Sequence, residues 1–457
     1  STPPSSSSEG RGILEGRYPA DFISEGVDQT RGWFFTLHAI SVMLFDSVAF
    51  KNVISTGLVL DKNGEKMSKS KGNVVNPFET MEKYGADTTR WYMIENANPW
   101  DNLKFDLDGI VEVRNKFFGT LHNTYNFFAL YANLDKFKPT GLKNQAFTEL
   151  DRWVLSKLQT TILEVEKAFD EYEPTKAART ISNFVTEHLS NWYVRLSRKR
   201  FWVGEMNTDK QAAYETLFEC LKVVSQMMSP IAPFYADFLY KNLTSNTLNP
   251  SLGSGEVSVH LTDWQKADES LIDKDLEQKM DLAQNICSLT HALRKKEKLK
   301  VRQPLSRILI PVLNAKNKEQ VSTVQELIKA EVNIKAIEYI DDTSGILVKS
   351  IKPNFKRLGE IYKTKMKEVA GIIQQFSQDD INKLEKEGLF EAQISDGFIT
   401  LTMEDVVVEA KEIAGWSVAS DKGLTVALDI TLTDDLKQEG IARELVNRLQ
   451  NLRKYKN

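Results

Sequence analysis

Three lysines, Lys66, Lys69 and Lys71, fall within six positions of this chain, interleaved with Ser68 and Ser70 and bracketed by Gly64 and Gly72. Such a segment cannot bury its charges without anionic partners. A glycine-bounded loop of this kind suits a polyphosphate: lysines supply point charges, and hydroxyls and backbone N–H groups supply donors. It is not a P-loop, because GxxxxGK[ST] does not occur. Taken alone, the segment reads equally as a solvated surface loop.

A second chemical segment lies upstream, Glu25-Gly26-Val27-Asp28-Gln29-Thr30-Arg31-Gly32-Trp33-Phe34. It follows a strand-like run, and acidic and amide groups at a strand's carboxyl end lie where open α/β sheets bind ligands. Gly26 allows close backbone approach, Asp28 suits ribose hydroxyls, Glu25 suits an ammonium group, and Trp33 would wall an apolar pocket. The plainer reading is a helix N-terminus with acids favourably placed for its dipole, plus a core tryptophan. A third segment, Asn191–Trp202, carries Arg195, Arg198, Lys199 and Arg200 among aromatics. On a helix, Arg195, Arg198 and Lys199 share a face that would grip RNA phosphates, or would simply be solvated. Arg294 to Arg302 is a second basic stretch with the same two readings.

These segments need elements to hold them. Residues 1–17 are rich in Ser, Pro and Gly and read as a linker or an added segment. Between Tyr18 and about residue 105, strand-like runs (20–24 and 52–60) flank a helical run from Arg31 to Leu44, the texture of a parallel α/β layer. Residues 106–265 read as helical, with Leu150, Trp153, Val154, Leu155, Leu158, Ile162 and Val165 at helical spacing and Pro230 and Pro233 interrupting a later helix. Residues 244–256 form a polar loop in this reading. Residues 266–335 read as a charged helix followed by a strand, RILIPV (307–312), and residues 336–457 as a mixture of strands and helices. Ser377 with Asp380 predicts a capping box, Gly388 the helix stop, and Asp421-Lys422-Gly423 a turn before an alternating strand. A helix is expected from Ile441 to Tyr455, so a parent protein would continue beyond it.

Composition sets the bounds. The chain has 457 residues, 41% of them apolar and 27% charged, with a formal net charge of −4. At about 150 residues per domain, two to four domains are expected. The small net charge leaves nucleic-acid binding to local clusters. No apolar run approaches the roughly 18 residues of a membrane span, and no signal-peptide pattern opens the chain, so a cytoplasmic location is expected. Cys220 and Cys287, without CxxC or histidine partners at zinc spacing, read as buried thiols. No metal-ligating set and no zinc are expected.

KMSKS (66–70) after a strand-like run and an Asp-Lys-Asn-Gly turn resembles the second signature of class I aminoacyl-tRNA synthetases, and EGxDQxRGWF (25–34) resembles the isoleucyl-tRNA synthetases in particular. DRWVLSKL (151–158) and LSNWYVRLSRKRFW (189–202) are similar to the anticodon-binding bundle of the isoleucyl, valyl and leucyl group. The resemblance covers nearly everything from Tyr18 to Lys456. It implies a multi-domain fold: a partial α/β Rossmann-like nucleotide-binding core (18–105), then an α-helical stem-contact and anticodon-binding region (106–265), then, after the stretch 266–335, a small α+β C-terminal domain (336–457). It implies ATP with Mg2+, isoleucine and tRNA(Ile) as ligands of a monomer. Lys66 and Lys69 would stabilise charge on the ATP phosphates, assisted by Ser68 and Ser70. Glu25, Gly26, Asp28 and Gln29 would hold the aminoacyl-adenylate, and Trp33 would touch the isoleucine side chain. Arg195, Arg198, Lys199 and Arg200 would contact tRNA. No HxGH signature, editing insertion or C-terminal cysteine cluster occurs in the sequence, so the chain alone is expected to bind tRNA without catalysing, with exposed apolar surface in 18–105. The rival reading is a non-catalytic tRNA-binding module derived from a class I synthetase; a valyl-type relative is the third.

Overall fold

The computed structural model describes residues 18–143, 145–244, 257–311, 315–340, 347–395, 397–412, 414–421 and 424–456. The expected linker (1–17) and nearly all of the polar loop (244–256) lie outside these residues, as do Lys422 and Gly423. The chain divides into two compact units, Ser1–Lys274 and Asp275–Asn457.

The first unit opens with a parallel pair. Strand β1 (Ala20–Gly26) pairs with β2 (Phe50–Thr56), and helix α1 (Trp33–Phe45) makes the crossover. Parallel strands require such a crossover, and its helix ordinarily covers the sheet. Helix α1 is apolar on nearly every side, yet among its residues only Phe34 and Ser41 are buried. Phe35, Met43 and Leu44 are 63%, 75% and 69% exposed. The apolar exposure expected for this region is therefore present. A shorter parallel pair follows, β3 (Val59–Leu60) with β4 (Leu103–Lys104), separated by α2 (Pro77–Tyr84) and α3 (Ala86–Asn96).

Beyond β4 the unit is helical: α4 (Leu107–Val113), α5 (Gly119–Leu134), α6 (Glu149–Asp170), α7 (Pro174–Asn183), α8 (Arg195–Trp202), α9 (Thr208–Met228) and α10 (Pro233–Thr244). Thr148 and Asp151 form a reciprocal capping box at the start of α6, which fixes the helix entry. Trp153, Val154, Leu155, Leu158, Ile162 and Val165 are all buried, as their spacing predicts. Met228 ends α9 and Pro233 begins α10, where the two prolines were read as a break.

Two features depart from the sequence reading. Between α7 and α8, Phe184–Val194 is a π-helix, not a continuous α-helix. Its buried residues Phe184, His188 and Trp192, with Val185, Leu189 and Tyr193 beside them, recur every four positions; the wider i→i+5 turn keeps that set facing inward. The boundary at 105/106 does not separate packed layers either. Thr175 of α7 donates to the carbonyls of Ile94 and Ala97 at 2.7 and 3.0 Å, and Trp91 Nε1 donates to Ser182 at 3.1 Å, so α3 is built into the helical layer.

The second unit begins with α11 (Lys274–Lys296), whose first residue still belongs to the first unit. Then come β5 (Leu305–Pro311), α12 (Ala315–Val332), β6 (Ile334–Ile340), β7 (Leu347–Pro353), α13 (Phe355–Tyr362), α14 (Met366–Gln374), α15 (Gln378–Glu387), β8 (Leu389–Ile394), β9 (Gly397–Thr402), β10 (Val406–Glu412), β11 (Trp416–Asp421), β12 (Leu424–Asp429) and α16 (Asp434–Lys456). One sheet runs in the order β11-β12-β5-β6, with β5 and β6 parallel and the other neighbours antiparallel. This corrects the division at 335/336, which falls inside β6: β5 and β6 are hydrogen-bonded neighbours, and β5 also pairs with β12. The segment from β7 to β10 has its own core, built on Leu358, Val369, Ile373, Ile381, Leu384 and Leu401. The Ser377–Asp380 capping box and the left-handed Gly388 stop are present, and Asp421 pairs with Leu424, as a hairpin at the expected turn requires. Cys220 and Cys287 are buried free thiols.

Candidate functional site

The in-register pair β1/β2 sets Glu25 opposite Ser55 and Gly26 opposite Thr56 at its carboxyl end. After Gly26 the chain turns through a single 3-10 segment, Val27–Arg31, into α1. Gln29 ties this turn together. Its Nε2 donates to Asp28 Oδ2 at 2.9 Å, and its Oε1 accepts from the backbone N–H of Trp33 at 3.0 Å. Asp28 is thereby oriented from the helix N-terminus, and its Oδ1 lies 2.6 Å from where a Cβ on Gly26 would stand, so a side chain there would displace the carboxylate. Glu25 is exposed and accepts only from the Gly26 N–H among the described residues, at 3.1 Å. Trp33 is half-exposed beside Phe34.

The lysine-rich loop follows β2 and β3 in the chain. Met67 and Val75 pack against Tyr92, Leu103, Phe105 and Ile110, which anchors the loop at both ends. Gly64 and Gly72 adopt φ of +86° and +67°, a region that costs glycine nothing and other residues considerably more. Lys71 pairs with Glu65 at 3.1 Å. Lys66 and Lys69 are exposed and form no ion pair among the described residues. Ser68 Oγ caps the short turn after it by accepting from Lys71 N at 3.3 Å and lies 3.2 Å from Ser70 Oγ. Two exposed ammonium groups, in no ion pair among the described residues and interleaved with two hydroxyls, have the chemistry that suits an anion.

The sequence has relatives that combine these segments. Residues 5–106 match the family model "tRNA synthetases class I (I, L, M and V)", and residues 151–310 match "Anticodon-binding domain of tRNA ligase". An isoleucine–tRNA ligase of Cytophaga hutchinsonii is 59% identical over 449 residues, which is 98% of this chain and 40% of that protein. Isoleucine–tRNA ligases of Bacteroides thetaiotaomicron and Clostridium tetani are 54% and 41% identical over 450 residues, 98% of this chain and 38% and 42% of theirs. This chain belongs to the isoleucyl-tRNA synthetase family. It spans about two fifths of the length of the curated relatives it matches.

Within that family assignment, the basic helix α8 divides. Arg195, Arg198 and Lys199 are exposed; Arg195 donates to the Asn191 carbonyl at 2.7 Å and lies 6.0 Å from the Trp192 ring centre. Arg200 is a correction to the RNA-facing set. Its guanidinium grips the fully buried Asp151 with two hydrogen bonds, at 2.7 and 2.8 Å, and also reaches Asp209. A side chain so held cannot also meet a phosphate. Burial pushes the Asp151 carboxyl up, but the hydrogen bonds and charge of Arg200, with Thr148 and Tyr193, hold it below its usual range. Trp192 and Tyr193 are core residues, whereas Trp202 is exposed. In the second basic stretch, Arg294 is likewise buried. It donates to the carbonyls of Lys300, Gln303 and Asn333 at 2.9–3.1 Å, and burial depresses its pKa to about 10. Lys295, Lys298, Lys300 and Arg302 of that stretch are exposed.

Two residues that sequence reasoning passed over organise the loop. Asp61 and Asn73 stand at its two ends and are hydrogen-bonded to each other. The signal for Asp61 was the Asp-Lys-Asn-Gly turn, in which an Asx side chain bonds backbone N–H groups just ahead. No local rule marks Asn73.

Proposed function

We propose that this chain supplies the phosphate-handling half of the catalytic core and the tRNA-binding region of an isoleucine–tRNA ligase: ATP + L-isoleucine + tRNA(Ile) to isoleucyl-tRNA + AMP + diphosphate. The observations that carry this reading are Glu25–Trp33 at the carboxyl end of the β1/β2 pair and the KMSKS loop following β3, with Lys66 and Lys69 exposed and in no ion pair among the described residues. In the first step the isoleucine carboxylate attacks the α-phosphorus of ATP, and diphosphate leaves with the bonding electrons. A carboxylate is already a nucleophile, so no general base is required. Lys66 and Lys69 stabilise the charge growing on the phosphate oxygens, with Ser68 and Ser70 as donors and loop closure excluding water. Mg2+ would travel with the triphosphate and neutralise part of its charge. Glu25 faces the substrate ammonium, Asp28, held by Gln29, takes the ribose hydroxyls, Gly26 leaves room for the adenylate, and Trp33 lies against the isoleucine side chain. In the second step a ribose hydroxyl of the tRNA attacks the aminoacyl carbonyl and AMP leaves. Arg195, Arg198 and Lys199 contact tRNA phosphates.

The proposed domains are the core segment 18–105, sharing α3 with the helical region to about 274, and the second unit beyond. We read the protein as a cytoplasmic monomer; no helix among the described residues is long and apolar enough to cross a membrane. The exposed apolar side of α1 is where further chain of a longer synthetase would pack.

The test is paired. The purified chain, titrated with isoleucine and valine tRNA transcripts across salt, is expected to bind the isoleucine tRNA more tightly and to show no isoleucine-dependent ATP–pyrophosphate exchange. Equal or absent tRNA binding would overturn the recognition role, and measurable exchange would overturn the claim that the chain is catalytically incomplete.

A further inference from the structure

The KMSKS loop is closed by one carboxamide. Asn73 Oδ1 accepts from the backbone N–H of Ser68 at 2.9 Å, between Lys66 and Lys69 in the chain. Its Nδ2 donates to Asp61 Oδ2 at 2.9 Å and lies 3.4 Å from the Lys66 carbonyl. The other oxygen of Asp61 accepts from the N–H groups of Asn63 and Glu65 at 2.9 and 2.8 Å. Asp61 is thus bonded to the turn before the signature, and Asn73 ties that turn to the peptide from which Lys66 and Lys69 project. The bond from Asn73, with those from the turn, also holds the Asp61 carboxyl below its ordinary range. Neither side chain needs to touch a substrate to do this.

We infer that Asn73, clasped to Asp61, is the positioning residue of the phosphate loop: it fixes the Ser68 peptide so that the Lys66 and Lys69 ammonium groups are aimed together at one polyphosphate. The inference rests on the proposed phosphate role of these lysines. The chemistry at position 73 is demanding, because one side chain must accept from Ser68 and donate to Asp61. An aspartate at position 73 keeps the acceptor but sets a second carboxylate against Asp61. An asparagine at position 61 turns a second amide donor toward the amide of Asn73, and flipping Asn73 merely moves the donor–donor clash to the Ser68 N–H. Exchanging the two residues restores every bond except the long one to the Lys66 carbonyl. The amide then at position 61 would donate to the carboxylate at position 73 while accepting from residues 63 and 65, and that carboxylate would accept from Ser68. Net charge is unchanged.

That reciprocity sets the experiment. Asn73→Asp, Asp61→Asn and the double exchange are compared in the full-length synthetase carrying this segment, by isoleucine-dependent ATP–pyrophosphate exchange, with Lys69→Ala as reference. Misplacing a catalytic group by about 1 Å costs on the order of 100-fold. Each single variant should therefore lose roughly that much in kcat, with the KM for ATP changed by only about threefold, and the double exchange should recover most of it, the signature of direct coupling. Amide hydrogen exchange at Ser68 gives a second readout: protection should be lost in both single variants and regained in the double. If Lys69→Ala is impaired while the double exchange stays as low as the single variants, the clasp is overturned and the phosphate role of the loop stands. If Lys69→Ala exchanges at the parent rate, the phosphate role itself fails and the clasp falls with it. Early melting of the single variants with no recovery in the double would likewise reduce Asn73 to a structural residue and overturn the proposal.

Discussion

Two stretches of this chain crowd cations, Lys66–Lys71 with three in six positions and Arg195–Arg200 with four, and the fold uses them in opposite ways. In the loop, Lys71 is paired with Glu65, and the two that matter for the proposed chemistry, Lys66 and Lys69, form no ion pair among the described residues. In the helix, Arg200 is drawn inward by an aspartate from α6 and becomes part of the core. Local charge density announces both stretches equally well. What separates them is whether a carboxylate with no water of its own lies within reach, and that depends on tertiary packing.

The largest effect should come from the inward cation. Arg200→Ala leaves the Asp151 carboxylate buried without its main counter-charge, and removing one partner of a buried pair costs about 3–5 kcal/mol. In a unit of this size each kcal/mol moves the melting temperature by roughly 2–4 °C, so calorimetry should show a fall on the order of 10 °C. The pH dependence has a definite sign. Because the Asp151 carboxyl is held low in the folded chain, its contribution is complete above the ordinary carboxylate pKa, about 3.9, and is lost as pH falls below that through the folded value. Arg200→Ala should therefore move acid unfolding to higher pH. A variant that melts like the parent would erase the contrast between the two stretches.

Next in size is the contrast within the loop. Lys66→Ala should lower isoleucine-dependent pyrophosphate exchange in the full-length enzyme by about 100-fold, the scale of removing one charge-stabilising donor. Lys71→Ala should change it only a few-fold, since an exposed pair with Glu65 contributes about 0–1 kcal/mol. Equal losses would mean that the ion pair does not mark the difference in role. The smallest effect belongs to the outward cations of the helix. Arg198→Ala and Lys199→Ala should each weaken tRNA binding modestly and reduce the slope of log affinity against log salt by about one, with no change in melting temperature. Arg200→Ala, assayed well below its melting point, should leave that slope intact.

Much of this was legible locally. A capping box needs only Ser377 and Asp380 three residues apart, and a helix break only Pro230 and Pro233. These are short-range rules, and the structure obeys them. The role of Arg200 was not legible, because its partner belongs to another helix. Asn73 escaped for a related reason: an asparagine after a glycine is an ordinary loop residue until its amide is found facing Asp61. The boundary expected at 335/336 failed because strand pairing is non-local. Residues of β5 look like the end of a connecting region until β12 is seen beside them. The π-helix before α8 was read as α because apolar positions four apart fit both helices.

The strand order of the second unit has a further consequence. The chain leaves the four-stranded sheet at one edge, through β6, and re-enters at the other, through β11, having built a separately cored body between them. The sheet is a host and the β7–β10 body a guest lodged in one of its connections. A guest can be lengthened, shortened or replaced over evolutionary time so long as its two attachment points, the end of β6 and the start of β11, keep their places on the sheet, and the host's hydrogen bonds never register the change. This part of the molecule can therefore change by whole insertions or deletions, while the loop closed by Asn73, where one amide bonds Ser68 and Asp61, is expected to change by paired substitution.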